Sequence, residues 1–269
     1  MIILKLGGSV ITRKDSSTPK LDTSNLTRIA TEISDSSCHK LIVVHGAGSF
    51  GHPYAKEYDI GSEINSLEEF TRKKQGFSKT QNSVKNLNQL VCQHLIEQEI
   101  PAVSIQPSSF VQTYNKRIIK ADLDLISKYL DMGFVPVLYG DVVLDVEDKI
   151  KMAVLSGDQI VKYLAENLKP EKVVLGSDVD GIYNKDPKKY SDAYLLKVVT
   201  SHNDLESADN TQTVDVTGGM GGKLDELLEL TKIGIESEII NASHDNNIKR
   251  ALKGEKGIGT LIKKMKEKK

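Results

Sequence analysis

"LIVVHGAGSFGHP", residues 41–53, decides how this chain is read. Apolar residues run into a loop with Gly46, Gly48 and Gly51 at G-x-G-x-x-G spacing, and His52 follows at once. A strand that empties into such a loop ahead of a helix offers backbone N–H groups to an oxyanion, because glycine leaves no side chain to block the approach. The same spacing marks dinucleotide sites. Those place the loop after the first strand of the fold, with an acidic residue about 20 positions on at the end of the next strand. Here another strand-like run, "IILKL" at 2–6, comes first, and the matching region downstream is the polar, helix-like "SLEEFTRKKQGF" at 66–77. A nicotinamide or flavin site therefore fits poorly, and a loop for some other phosphate fits better.

Working outward, short apolar runs recur at "AVSIQ" (102–106), "FVPVLYG" (134–140) and "KVVLGS" (172–177). Between them "TSNLTRIATEIS" (23–34), "TQNSVKNLNQLVCQHLIEQ" (80–98) and "GDQIVKYLAENL" (157–168) carry helical spacing. This alternation predicts an α/β fold, a largely parallel sheet between helical layers, since parallel strands need crossovers and helices usually supply them. Ligands then belong at the carboxyl ends of the strands. "GDVVLDVEDKIKMAVLSGD" (140–158) departs from the pattern: two period-two segments flank a polar turn and predict a β-hairpin. The polar "NLKPEK" (167–172) marks a lobe boundary, dividing the chain into 1–169 and 170–269.

The 269 residues carry a formal charge of −1, with 39% hydrophobic and 27% charged positions. That balance gives no general attraction to nucleic acid or to an anionic membrane surface. Cys38 and Cys92 stand far apart, without metal-ligand spacing or a disulfide framework, as in a reducing cytoplasm. No window approaches the ~18 apolar residues of a membrane span, and the amino-terminal run has neither a basic leader nor a cleavage pattern.

Further glycine loops stand at "KLGGS" (5–9), "LSGD" (155–158), "GSDVDGIY" (176–183) and "DVTGGMGGK" (215–223). None is a P-loop: Gly222 and Lys223 are present, but Thr217 stands where that motif needs its first glycine, and Leu224 follows the lysine. Two anion loops after neighbouring strands imply a long anion. Lys5, Lys14 and Lys223 accompany them, and Lys5 lies inside an apolar strand, where an unpaired ammonium costs several kcal/mol. Phosphoryl transfer spreads negative charge over the migrating group, so fixed cations and N–H donors are its main catalysts.

In this order, "KLGGS", "HGAGSFGH", "YGD", "LSGD", "SDVDGIY" and "DVTGGMGGK" resemble the amino-acid kinase superfamily, and most closely its isopentenyl phosphate kinase branch. The resemblance implies an open three-layer αβα sandwich in two lobes, the first holding the phosphate acceptor and forming a homodimer, the second holding ATP. It implies that Lys5, Gly7, Gly8 and Ser9 face the transferring phosphate and that Lys14 clamps it. Ala47 and Gly48 would donate between acceptor and ATP, with Gly51 in the acceptor loop, His52 on the acceptor phosphate and Gly140 as an acceptor-side backbone contact. Asp158 would organise the lysines, and Asp178, Tyr183, Gly219 and Lys223 would form the nucleotide pocket. Gly-Ala-Gly at 46–48 replaces the three glycines usual in the superfamily, though alanine is also usual in this branch.

His52 chooses between branches. A carboxylate acceptor would need only backbone donors, whereas a phosphomonoester brings close to two negative charges and a second pKa of about 6. An imidazole beside such a dianion neutralises it, and no general base is needed because the attacking oxygen is already ionised. Asp158, just ahead of a helical pattern, also reads as a helix N-cap. No carboxylate cluster forms a dedicated metal site, so Mg²⁺ would arrive with ATP, held by phosphates and water. Three alternatives stay open: a kinase for another phosphate or phosphonate such as fosfomycin, a non-catalytic nucleotide-binding regulatory module on the same fold, and a dehydrogenase.

Overall fold

Runs of consecutive apolar residues place side chains on both faces of a strand, so each run must be covered from above and below. The computed structural model describes residues 1–13, 18–187, 189–206 and 220–265. In chain order its elements are β1 (Ile2–Leu6), α1 (Gly8–Ile11), α2 (Thr23–Ser36), β2 (Leu41–His45), α3 (Gly48–Glu57), α4 (Leu67–Glu97), β3 (Ala102–Ser104), β4 (Val111–Tyr114), β5 (Arg117–Ala121), α5 (Asp124–Asp131) and β6 (Val135–Tyr139). There follow β7 (Asp141–Asp145), β8 (Met152–Leu155), α6 (Gly157–Leu168), β9 (Lys172–Ser177), β10 (Val198–Val199), α7 (Asn203–Glu206), α8 (Met220–Lys232), β11 (Glu236–Asn241), α9 (Asn247–Leu252) and β12 (Thr260–Ile262).

An eight-stranded sheet runs β10-β12-β11-β9-β1-β2-β6-β3. All its pairings are parallel except β11 with β12. One face packs Ile3, Ile42, Val173 and Ile239 against α5, α6 and α8. The other packs Leu4, Val43, Val174 and Ile240 against α2, α4 and α9. Ile3, Leu4 and Leu6 are each 0% exposed, and a side chain of that size contributes about 1.5–3 kcal/mol when fully buried. The expected three-layer α/β arrangement is what the chain forms.

The expected hairpin is present as antiparallel β7 and β8, inside a second sheet of order β5-β4-β7-β8. It stands over the carboxyl end of β6, because Gly140 alone separates β6 from β7. The boundary expected at 169/170 coincides with the end of α6, where Lys169 takes a left-handed conformation with φ 49°. The sheet is continuous across it: β9 pairs with β1 from Ile2 opposite Lys172 to Leu6 opposite Gly176.

Strands β1, β2, β6 and β9 are neighbours and all point the same way, so the loops that leave them meet at one edge. Chain order runs from β1 outward to β2, while α6 carries it back across to β9 on the other flank. Such a reversal opens a crevice at the strand ends.

Candidate active site

The crevice is a cleft of about 510 Å³. Its floor is built by the loops after β1, β2, β6 and β9, and one wall by the start of α6. Of the residues expected from the sequence it gathers Lys5, Gly7, Gly8, Ser9, Ala47, Gly48, Gly51, His52, Gly140, Asp158 and Lys223. Asp178 and Tyr183 do not line it; they follow Ser177, which does. Lys14 and Gly219 lie outside the described residues.

The first two glycine loops touch backbone to backbone. A Cβ on Gly8 would stand 2.5 Å from Gly48 N and 2.6 Å from its Cα, and one on Gly46 would stand 2.6 Å from Gly8 N. Gly48 also has φ +50°. Gly8→Ala is therefore expected to destabilise the fold by about 1–3 kcal/mol, the usual cost of forcing extra atoms into a packed site. Gly222→Ala, with nothing within 4 Å of the added carbon, should leave stability unchanged or slightly raised. Urea unfolding midpoints of the two variants check this.

Close packing leaves amides facing outward. The N–H groups of Gly8, Ser9, Ala47 and Gly48 have no acceptor among the described residues, which is the arrangement a bound oxyanion would satisfy. Thr12 holds the loops in register: its hydroxyl donates to Gly8 O at 2.7 Å and accepts from Ser49 N at 3.1 Å. Sequence reading missed Thr12, whose importance depends on a contact between residues 37 positions apart.

Lys5, the penultimate residue of β1, lies on the face toward α6 and is 5% exposed. Its Nζ lies 2.9 Å from Asp158 Oδ1, in the first turn of α6. Asp158 thus pairs with Lys5, but it does not cap the helix: Ser156 caps α6, its Oγ accepting from Gln159 N at 3.1 Å. Asp158 instead takes the second helical position, where its charge complements the helix amino terminus.

His52 sits in α3 at the cleft mouth, exposed on its outer side. Desolvation by the cleft walls, and secondly the Lys5 ammonium, pull its pKa below the ordinary imidazole value, so the free ring is mostly neutral at pH 7. The cleft is also lined by the apolar Pro53, Ala55, Val84 and Val154. Asp141, also in the cleft wall, is 2% exposed and accepts from Ser108 N at 3.0 Å and Val142 N at 2.8 Å. Burial pushes its carboxyl above the usual range.

On the far flank, Asp180 accepts from Tyr183 OH at 3.0 Å and from Asn241 Nδ2 at 2.9 Å, with His244 Nε2 at 3.6 Å. The Asn241 hydrogen bond leads the causes that hold its carboxyl below the ordinary value. Asp180 was not singled out in the sequence, although it stands within the quoted "SDVDGIY". Among the described residues no three His, Cys, Asp or Glu side chains cluster for a metal. The cleft's two carboxylates are engaged by Lys5 and by Ser108 and Val142. This donor set suits a magnesium ion carried in by nucleotide phosphates rather than one caged by protein.

A parallel α/β sheet with two interlocked amide loops and a buried lysine at a topological switch point defines a phosphate-binding protein of the phosphotransferase type. Residues 1–241 match the Amino acid kinase family, and the chain belongs to that family. It is 57% identical to an isopentenyl phosphate kinase from Methanothermobacter thermautotrophicus, over 97% of this chain and 98% of that one. A crystal structure described as isopentenyl phosphate kinase superposes with a TM-score of 0.90 at 53% identity, covering 97% of this chain and 99% of that chain. A product complex of the Thermoplasma acidophilum isopentenyl phosphate kinase superposes at 0.78 with 33% identity, covering 98% and 100%.

Proposed function

We propose that this chain transfers the γ-phosphoryl group of ATP to isopentenyl phosphate, giving isopentenyl diphosphate and ADP. One observation carries the reading: a single cleft gathers the amides of two glycine loops, unpaired among the described residues, and Lys5 together with the His52 imidazole and the apolar Pro53, Ala55, Val84 and Val154. The amides and Lys5 suit a phosphate chain, and the imidazole with the apolar residues suits an acceptor with a phosphate head and a hydrocarbon tail. An ionised oxygen of the acceptor phosphate attacks the γ-phosphorus, forming an O–P bond. The bond from that phosphorus to the bridging oxygen breaks, and its electron pair leaves on the β-phosphate of ADP. Lys5 and the Gly8, Ser9, Ala47 and Gly48 amides stabilise the charge spread over the migrating group. Asp158 keeps the Lys5 ammonium in place, Lys223 approaches from α8, and His52 neutralises the acceptor. Magnesium, when bound, supplies further charge neutralisation on the nucleotide phosphates.

The same reading assigns Gly140 and Gly51 to the acceptor side, and Asp178, Tyr183 and Gly219 to the nucleotide side, with Lys14 as a further clamp. Residues 1–169 then form the acceptor half and the dimer contact, and residues 170–269 the ATP half. No described helix is long and apolar enough to cross a membrane; a cytoplasmic homodimer acting on a small phosphate monoester is part of the proposal. Purified protein with Mg-ATP is expected to release ADP with isopentenyl phosphate and dimethylallyl phosphate, and far less with fosfomycin or N-acetylglutamate. Release with N-acetylglutamate alone would refute the choice of acceptor.

A further inference from the structure

We infer that His45 is a positioning residue: its ring fixes the peptide between Gly46 and Ala47 so that the Ala47 N–H is aimed into the cleft. The inference rests on the proposed phosphoryl transfer for its catalytic consequence, though not for its geometry. His45 ends β2 and is 0% exposed, on the sheet face covered by α4. Its Nδ1 lies 3.0 Å from Gly46 O, and its Nε2 lies 3.1 Å from Asn88 Nδ2. A carbonyl only accepts and an amide nitrogen only donates, so Nδ1 carries the proton and Nε2 accepts. Asn88 cannot turn over to reverse this, because its Nδ2 also donates to Val137 O at 3.4 Å and a carbonyl has no proton to offer an amide oxygen; Oδ1 then accepts from Ser104 Oγ and Cys92 Sγ. Tyr139 stacks on the ring at 5.5 Å between centroids with the planes 14° apart.

The consequence follows from peptide planarity. In a trans peptide the C=O and the next N–H point in opposite directions, so drawing Gly46 O toward the ring turns the Ala47 N–H away from α4. Ala47 lines the cleft and its N–H has no acceptor among the described residues. Gly46 cannot carry a side chain, since the Gly8 backbone occupies that space, so its own torsions restrain this peptide weakly. The preceding peptide is already held by Gly46 N donating to Leu6 O at 2.9 Å. Among the described residues, His45 Nδ1 is the group that bonds Gly46 O.

Two substitutions separate the contacts. In His45→Asn the amide nitrogen falls near the position of Nδ1 and can still serve Gly46 O, whereas His45→Gln reaches toward Asn88 and leaves Gly46 O unserved. His45→Gln is expected to lower kcat about 100-fold with a much smaller change in acceptor KM, and His45→Asn to restore kcat to within about fivefold of the parent. Equal losses in both variants, or undiminished kcat in His45→Gln, would overturn the inference. Should neither variant fold, ring ¹⁵N spectra of the parent protein decide. A protonated Nδ1 on His45, together with a downfield shift of the Ala47 amide on adding Mg-ADP or inorganic phosphate, supports it, and an Nε2–H tautomer or an unmoved Ala47 amide refutes it. These spectra remain decisive even if isopentenyl phosphate is not the acceptor, so failure of the function and failure of this inference can be told apart.

Discussion

Replacing Lys5 by methionine is expected to cut turnover by about a thousandfold, the upper part of the range seen when a single transition-state donor is removed from an enclosed site. Methionine follows the lysine stem closely in length and flexibility, so the packing of β1 between β2 and β9 should survive. What disappears is the ammonium of a residue only 5% exposed and lining the cleft, in surroundings where water contributes little screening. The same change leaves Asp158, 2.9 Å away, without its cation. Removing one partner of a fully buried pair costs about 3–5 kcal/mol; with the Asp158 side chain 22% exposed the loss is smaller, and the single variant should still melt earlier. Adding Asp158→Asn relieves that cost, and the double variant should recover most of the lost stability. Its turnover should stay at the level of the single variant, because the recovery concerns the fold and the defect concerns the migrating phosphoryl group. Thermal melts and single-turnover ADP release, measured on parent, single and double variants, check both halves. Turnover that recovers in step with the melting temperature would show that Lys5 is merely structural.

Much of this arrangement was legible in the residue order. The runs at 2–6, 41–45 and 172–177 form strands over those same residues, since an apolar stretch bounded by glycine or polar loops has few other uses. The helix expected at 157–168 has those limits, set by Ser156 at one end and the left-handed Lys169 at the other. Helix α4 is the instructive departure. Its two expected stretches, the polar, helix-like 66–77 and the periodic 80–98, are joined without a break into one helix that starts at Leu67. Capping and tertiary contact extend it: Ser66 Oγ accepts from Glu69 N at 3.1 Å, and Gly76 lets Tyr58 pack where a Cβ would stand 2.2 Å from that residue's own Cβ. Lys73, 1% exposed, then ties the helix to the carbonyls of Ser62 and Glu63 at 3.0 and 2.9 Å. None of those partners can be read from local spacing.

The site divides along the same line. Glycines and lysines stood out because each breaks its local pattern, a glycine at a strand end or a charge in an apolar run. Thr12 and His45 do not stand out, since a threonine after a short helix and a histidine ending a strand are unremarkable until a distant loop is laid against them. Asp141 is similar: its place beside Gly140 was visible, but its capping of Ser108 was not.

Acceptor binding should take up a proton, and His52→Gln should abolish that uptake. In the free protein the cleft walls and Lys5 hold the His52 pKa below the ordinary imidazole value, so the ring enters the reaction neutral near pH 7. A phosphate dianion arriving beside it favours the imidazolium and raises that pKa. Protons are therefore absorbed on binding at pH values between the free and bound pKa of the ring. Below the free value the ring is already charged, and above the bound value it stays neutral, so uptake vanishes at both ends. Affinity for the acceptor should accordingly weaken as pH rises from the free value to the bound value and level off above it. The acceptor's own second ionisation, near pH 6, would release protons if the dianion is selected, an effect that fades by about pH 7.5 and persists unchanged in the glutamine variant. Calorimetry at that pH in two buffers of different ionisation enthalpy isolates the ring's contribution as the difference between parent and variant. A hydrogen bond between charged groups is worth about 1.5–3 kcal/mol, so His52→Gln should raise the acceptor KM roughly 10- to 150-fold while leaving the KM for ATP nearly constant. Equal proton uptake in parent and variant, or an unchanged acceptor KM, would remove His52 from the acceptor phosphate and leave the outward amides alone to hold it.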